Sequence, residues 1–274
     1  MYGKITALVA TTAIIVSTSA QAEGWQTSFS GGLSMSRTTF DLAPRIAATG
    51  PSEVFGGFLG FEGAGSAGGM SVSFDGFFEY LGDVDAVYET GPLHSGAIGL
   101  HVGQNKAAGY LGVFAGLGFF DSWISDAPED AAIAGVEGSI GTAAGQAFVQ
   151  LGYARAVSDQ PSNDFIGPVA RIGIGSDLPN GMSLKAAVEA GKKTDCVYEC
   201  YFDYDPYLEL TVEMQKDIAP GYGIVAGLNH FQPGSWLAST TGIYVGFTTA
   251  IGAGSKAPDT PKGAFKMAGW QVIP

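Results

Sequence analysis

Met182-Ser183-Leu184-Lys185-Ala186-Ala187-Val188-Glu189-Ala190-Gly191 alternates along its whole length: Met182, Leu184, Ala186, Val188 and Ala190 on one parity, and Ser183, Lys185, Ala187, Glu189 and Gly191 on the other. Successive side chains of a strand point to opposite faces, so a period of two with unlike parities reads as a strand between two different environments. The next segment repeats the pattern, setting Leu208, Leu210, Val212 and Met214 against Tyr207, Glu209, Thr211, Glu213 and Gln215. Earlier, Met70, Val72, Phe74, Phe78 and Tyr80 oppose Ser71, Ser73, Asp75 and Glu79, and Leu111, Val113, Ala115 and Leu117 oppose Tyr110, Gly112, Phe114 and Gly116. Near the end, Ile243, Val245, Phe247 and Ile251 oppose Tyr244, Gly246, Thr248 and Ala250.

About twelve such segments follow one another, each near the ten or so residues with which a tilted strand crosses a bilayer. They are expected at 25–35, 54–63, 69–80, 95–103, 108–118, 131–140, 145–155, 165–175, 181–190, 206–215, 221–231 and 241–251. Short connections rich in turn residues (Gln104 to Ala107, Gly141 to Ala144, Ser176 to Asn180, Lys216 to Pro220) alternate with longer ones. The longer ones are Arg37 to Glu53, Leu81 to His94, Phe120 to Asp130, Ala156 to Asp164, Gly191 to Asp205 and Gln232 to Thr240. The fold class is therefore all-β, a single antiparallel transmembrane barrel with short periplasmic turns and long outer loops.

The ends of the chain are read separately. Lys4, the apolar run Ile5 to Val16 and the small-residue stretch Ser17 to Ala22 follow the order of a secretory signal, with Ala20-Gln21-Ala22 at the cleavage site. Residues 1–22 are thus expected to be a signal peptide, 23–251 the barrel and 252–274 a periplasmic tail. The apolar run is too short for a membrane helix. The chain of 274 residues holds 42 Gly, 46% hydrophobic and only 14% charged residues, with a mean hydropathy of +0.20. That much apolar surface on alternating strands implies contact with something other than water. A net charge of −13 lacks the basic stripe that nucleic acid demands. Cys196 and Cys200, the sole cysteines, read in an exported chain as a disulfide within one outer loop; no second cysteine pair or nearby histidine completes a metal site. No cofactor motif is found.

Over nearly its whole mature length the chain resembles the porin-like class of bacterial outer-membrane barrels. The resemblance implies residence in the outer membrane of a Gram-negative bacterium, contact with its lipid and lipopolysaccharide, and insertion by the barrel-assembly machinery. That machinery reads an aromatic residue ending the last strand, whereas here 252–274 follows, with Pro258, Pro261, Lys262 and Lys266. Either the insertion signal is internal, around Tyr244, Val245 and Phe247, or the last strand lies elsewhere than 241–251.

In a barrel the polar parity faces the lumen, which assigns Asp75, Glu79, Arg171, Lys185, Glu189, Glu209 and Glu213 to the interior. A hairpin turning near Ser176 to Asn180 would set Arg171 beside Lys185 and diagonal to Glu189, with Glu209 and Glu213 on the next strand. Such charges could form an ion-pair lattice that stiffens the wall, or a constriction that selects small polar solutes. Inward Gly99, Gly103, Gly112, Gly116, Gly173, Gly175, Gly227, Gly246 and Ala250 leave volume for water, while inward Phe58, Phe77, Phe114, Phe148, Tyr207 and Tyr244 would pack the centre.

The long connections collect Asp83, Asp85, Glu89, Asp121, Asp126, Glu129, Asp130, Asp195, Glu199, Asp203 and Asp205, a solvated surface or one bridged to lipopolysaccharide by divalent cations. His101, in Leu100-His101-Val102-Gly103-Gln104-Asn105, is loosely similar to the His-x-Ser-Asn-Gly element of outer-membrane phospholipases, but Gly103 stands where their nucleophilic serine belongs. The function expected is thus a passive, weakly cation-preferring diffusion pore, not an enzyme. A closed structural or surface-interaction barrel with acidic loops is the alternative, ahead of a lipid hydrolase.

Overall fold

A computed structural model describes residues 25–39, 52–67, 69–85, 90–106, 109–120, 129–157, 165–193, 205–233 and 239–251. Twelve strands make up nearly all of it: β1 (Gln26–Thr39), β2 (Ser52–Ala67), β3 (Met70–Asp85), β4 (Thr90–Lys106), β5 (Gly109–Phe120), β6 (Glu129–Thr142), β7 (Gly145–Val157), β8 (Phe165–Leu178), β9 (Met182–Lys193), β10 (Asp205–Ala219), β11 (Tyr222–Pro233) and β12 (Ser239–Ile251). Each pairs antiparallel with its sequence neighbours, and β12 returns to β1 from Thr27↔Ile251 to Thr39↔Ser239. Closure removes both sheet edges, leaving every wall strand paired on its two sides, which a non-aqueous surrounding requires.

The two faces are inverted relative to a water-soluble protein. Leu33, Phe55 and Phe247 on the outer wall are 72%, 68% and 69% exposed, whereas inward His101 and Gln150 are 0% and 1% exposed. Aromatic rings cluster towards both ends of that wall: Trp25 stacks on Phe74 near the short turns, and Tyr80 packs against His94 near the opposite rim. Such belts suit the two interfaces of a bilayer.

Most strands run further than the apolar alternation suggests. The expected long connection Leu81 to His94 shrinks to 86–89, because β3 continues to Asp85 and β4 begins at Thr90. The reason is a register irregularity between Leu81 and Val84: it flips the parity, and Gly82, Gly91 and Pro92 blur it, yet the ladder continues through Val84↔Gly91 and Asp85↔Thr90. Asp83, Asp85, Glu129, Asp130 and Asp205 accordingly belong to strands rather than loops. Glu89, Asp121, Asp126, Asp195, Glu199 and Asp203 lie outside the described residues, as do Cys196, Cys200, the signal segment 1–22 and the tail 252–274.

The β8–β9 hairpin also turns later than expected. Asn180 and Gly181 both take left-handed φ angles, +66° and +68°, the combination that matches strand twist in a tight hairpin. Leu178 pairs with Met182, which places Arg171 directly opposite Glu189 and Lys185 opposite Gly175. The expected Arg171–Lys185 adjacency is thereby corrected, and two like charges are kept apart.

Candidate functional site: the barrel lumen

Register assembles the lumen. Following cross-strand partners from β6 to β10, Glu137 faces Gln150, Gln150 faces Arg171, Arg171 faces Glu189 and Glu189 faces Glu209. All five are buried. Two carboxylates opposite each other repel. The Glu189–Glu209 pair is relieved by Arg171 on the far side of Glu189 and by the Tyr207 hydroxyl, which donates to Glu189 at 2.7 Å. Further along the wall Lys185 faces Glu213, with Nζ 3.9 Å from Oε1, and the Tyr244 hydroxyl donates to the other oxygen of Glu213. Arg171 lies 5.6 Å from the centre of the Phe148 ring, a cation–π contact.

Five of the seven lumen charges named from parity (Arg171, Lys185, Glu189, Glu209 and Glu213) therefore share the β8–β10 sector. Asp75 and Glu79 are on β3 instead: Asp75 opposite Gly99 and Glu62, Glu79 opposite Phe58 and Ser95.

A second polar cluster escaped the sequence reading. Glu137, 2% exposed, accepts hydrogen bonds from the Tyr110 hydroxyl at 2.9 Å and Gln150 Nε2 at 3.1 Å, and its carboxylate lies 2.8 Å from His101 Nδ1. His101 Nε2 lies 3.6 Å from Asp75 Oδ1. Gly99 makes that approach possible, since a Cβ there would sit 2.6 Å from the Asp75 carboxylate. Glu137 stood on the polar parity of its segment, between Gly135 and Ser139, and was readable as a lumen charge. Its partners are long-range and were not. His101 is fully enclosed in the wall, out of reach of both lipid and solvent.

Four inward rings each pack against an inward glycine. A Cβ on Gly173 would meet the Phe148 ring at 2.4 Å, on Gly191 the Tyr207 ring at 2.4 Å, on Gly227 the Tyr244 ring at 2.2 Å, and on Gly103 the Tyr110 ring at 2.6 Å. Each ring packs against a glycine on a neighbouring strand and covers bare backbone there. Phe148, Tyr207 and Tyr244 thus occupy space that their glycines leave, whereas Phe114 and Phe77 pack the interior as expected.

The interior is consequently divided. On the β4–β8 side, Ala97, Phe114, Ile133, Ala154 and Val169 pack into a dry cluster joined by Phe77. Beside it lies a cavity of about 1060 Å³ that reaches the short-turn end near Gly181 and Gly221. Its lining includes Asp75, Glu79, Arg171, Lys185, Glu209 and Glu213, together with Phe58, Phe148 and Tyr244. Glu62, Asp177 and Asp217 line it too. Carboxylates thus outnumber cations on its surface.

No protein-family model matches the chain, and no curated protein matches it. Among solved structures, the translocator domain of the autotransporter NalP from Neisseria meningitidis superposes with a TM-score of 0.53 at 11% identity, over 90% of this chain and 97% of that one. The anion-selective porin from Comamonas acidovorans gives 0.42 at 11% identity, over 82% and 99%. The toluene transporter TodX of Pseudomonas putida gives 0.41 at 8%, over 86% and 91%. At these identities the likeness extends to the fold and no further. Twelve antiparallel strands closed on themselves, apolar outside and polar within, have the fold of the bacterial outer-membrane β-barrels.

Proposed function

We propose that the chain is a passive diffusion pore of the outer membrane of a Gram-negative bacterium, with a weak preference for cations. The observation that carries this reading is the cavity beside the packed cluster, whose wall holds more carboxylates than cations in a low-dielectric surrounding. There an excess of one sign raises the local concentration of counter-charged solutes. Glu209 and Glu213 set the preference, opposed by Arg171 and Lys185. Small polar solutes are the cargo; lipid and lipopolysaccharide surround the outer wall, and the barrel-assembly machinery inserts it. Not being an enzyme fits the same reading: His101 is committed to Glu137 and Asp75 inside the wall, and Gly103 offers no nucleophile beside it.

A second reading, a closed barrel that acts structurally or through its surface, draws on the packed cluster of Phe114, Ile133 and Val169, which fills part of the lumen. Conductance of the purified protein in a planar bilayer separates the two. Stepwise currents, with a reversal potential under a salt gradient that moves towards anions in Glu209→Gln and Glu213→Gln, support the pore. Absence of current favours the closed barrel, and selectivity unchanged by both variants removes the carboxylate mechanism.

A further inference from the structure

We propose that the open side of the lumen is a binding site for organic ammonium ions, molecules with a protonated amine on a compact apolar or aromatic body. The inference rests on the cation-preferring reading above and specifies its solute class.

Two features of one wall segment converge. The first is aromatic surface: the Tyr244 ring meets Phe58 edge to face at 5.2 Å, and both residues line the cavity. Ring faces attract ammonium groups and cover apolar bodies, a double role of little use to a small hydrated inorganic ion. The same lumen already holds one such contact, Arg171 on Phe148.

The second is an exchangeable counter-charge. Glu213 is oriented by the Tyr244 hydroxyl, while its cationic neighbour Lys185 is half exposed and 3.9 Å away. A contact so long and so solvated is weak. An incoming ammonium can therefore displace Lys185 from Glu213 without breaking the Tyr244–Glu213 bond. A cavity of about 1060 Å³ accommodates a molecule of that kind with room to pass. Amine N–H groups donate to Glu213, and the apolar body lies against Phe58 and Tyr244.

Calorimetric titration of the detergent-solubilised full chain with phenethylammonium, and with phenylacetate as the matched anion, tests the site independently of conductance. Saturable binding of the cation alone is expected. Glu213→Gln should weaken it about tenfold, and Lys185→Ala should tighten it by removing the competitor. Equal binding of the two probes, no saturable binding, or affinities unmoved by Glu213→Gln and Lys185→Ala would overturn the proposal. Bilayer currents are scored separately. Binding without current keeps the site and refutes the pore; current without binding keeps the pore and refutes the site.

Discussion

Replacing Glu137 by alanine should be among the most destabilising single changes in the barrel wall. The carboxylate is almost wholly buried, and three groups depend on it: Tyr110 Oη at 2.9 Å, Gln150 Nε2 at 3.1 Å and His101 Nδ1 at 2.8 Å. None of the three gains water when the carboxylate goes, since Tyr110, Gln150 and His101 are themselves 4%, 1% and 0% exposed. Each orphaned donor costs about 1–3 kcal/mol, and because the three share one acceptor their costs combine to about 3–6 kcal/mol. Urea unfolding of the detergent- or vesicle-embedded protein, followed by tryptophan fluorescence, measures the difference from the shift in midpoint at constant slope. Two comparisons calibrate it. Tyr110→Phe deletes one donor and leaves two, for about 1–2 kcal/mol. Glu53→Ala removes a rim pair in which Arg37 and Glu53 are 3.8 Å apart and more than half exposed, worth at most about 1 kcal/mol. A Glu137→Ala variant no less stable than Glu53→Ala would refute the claim that this cluster is a dry, fully engaged element of the wall.

Four other outcomes are expected. Leu151→Arg, at a half-exposed outer position on β7, should cost about 2–4 kcal/mol if it sits near mid-bilayer and about 0–1 near an interface, read by the same urea titration. Gly227→Val places side-chain atoms where the Tyr244 ring now lies; it should push the ring towards the axis, break its bond to Glu213 and lower single-channel current, whereas unchanged current would mean the ring does not border the path. Gly173→Val should displace Phe148 in the same way and release Arg171 from its ring, moving ion selectivity further than stability does. Cys196 and Cys200 should resist alkylation in non-reduced protein and yield a cross-linked peptide by mass spectrometry; two alkylated thiols would count against the loop disulfide.

The strands and the sidedness of each were legible along the chain. The interior position of Asp75, Arg171 and Glu209 follows from alternation alone, because a period of two is a local property of extended backbone and needs no knowledge of neighbours. The rims were less legible. At Leu81 and Val84 a register irregularity flips the parity, so residues 81–94 read as a loop although hydrogen bonds continue on either side of 86–89.

What pairs across strands was decided by the closed structure. Whether Arg171 meets Lys185 or Glu189 turns on where one hairpin bends, and Asn180 and Gly181 settle that by their left-handed φ angles. His101, Tyr110 and Glu137 lie on β4, β5 and β6; their meeting depends on the registers of two successive strand pairs, which no single segment contains. The lumen followed the same rule. Phe148 and Tyr244 were visible as inward rings and Gly173 and Gly227 as inward gaps, but only the lateral packing of neighbouring strands set each ring against a glycine beside the cavity. Parity along the chain told inside from outside; register between strands, set by where each strand pair turns and held by closure, decided which side chains touch.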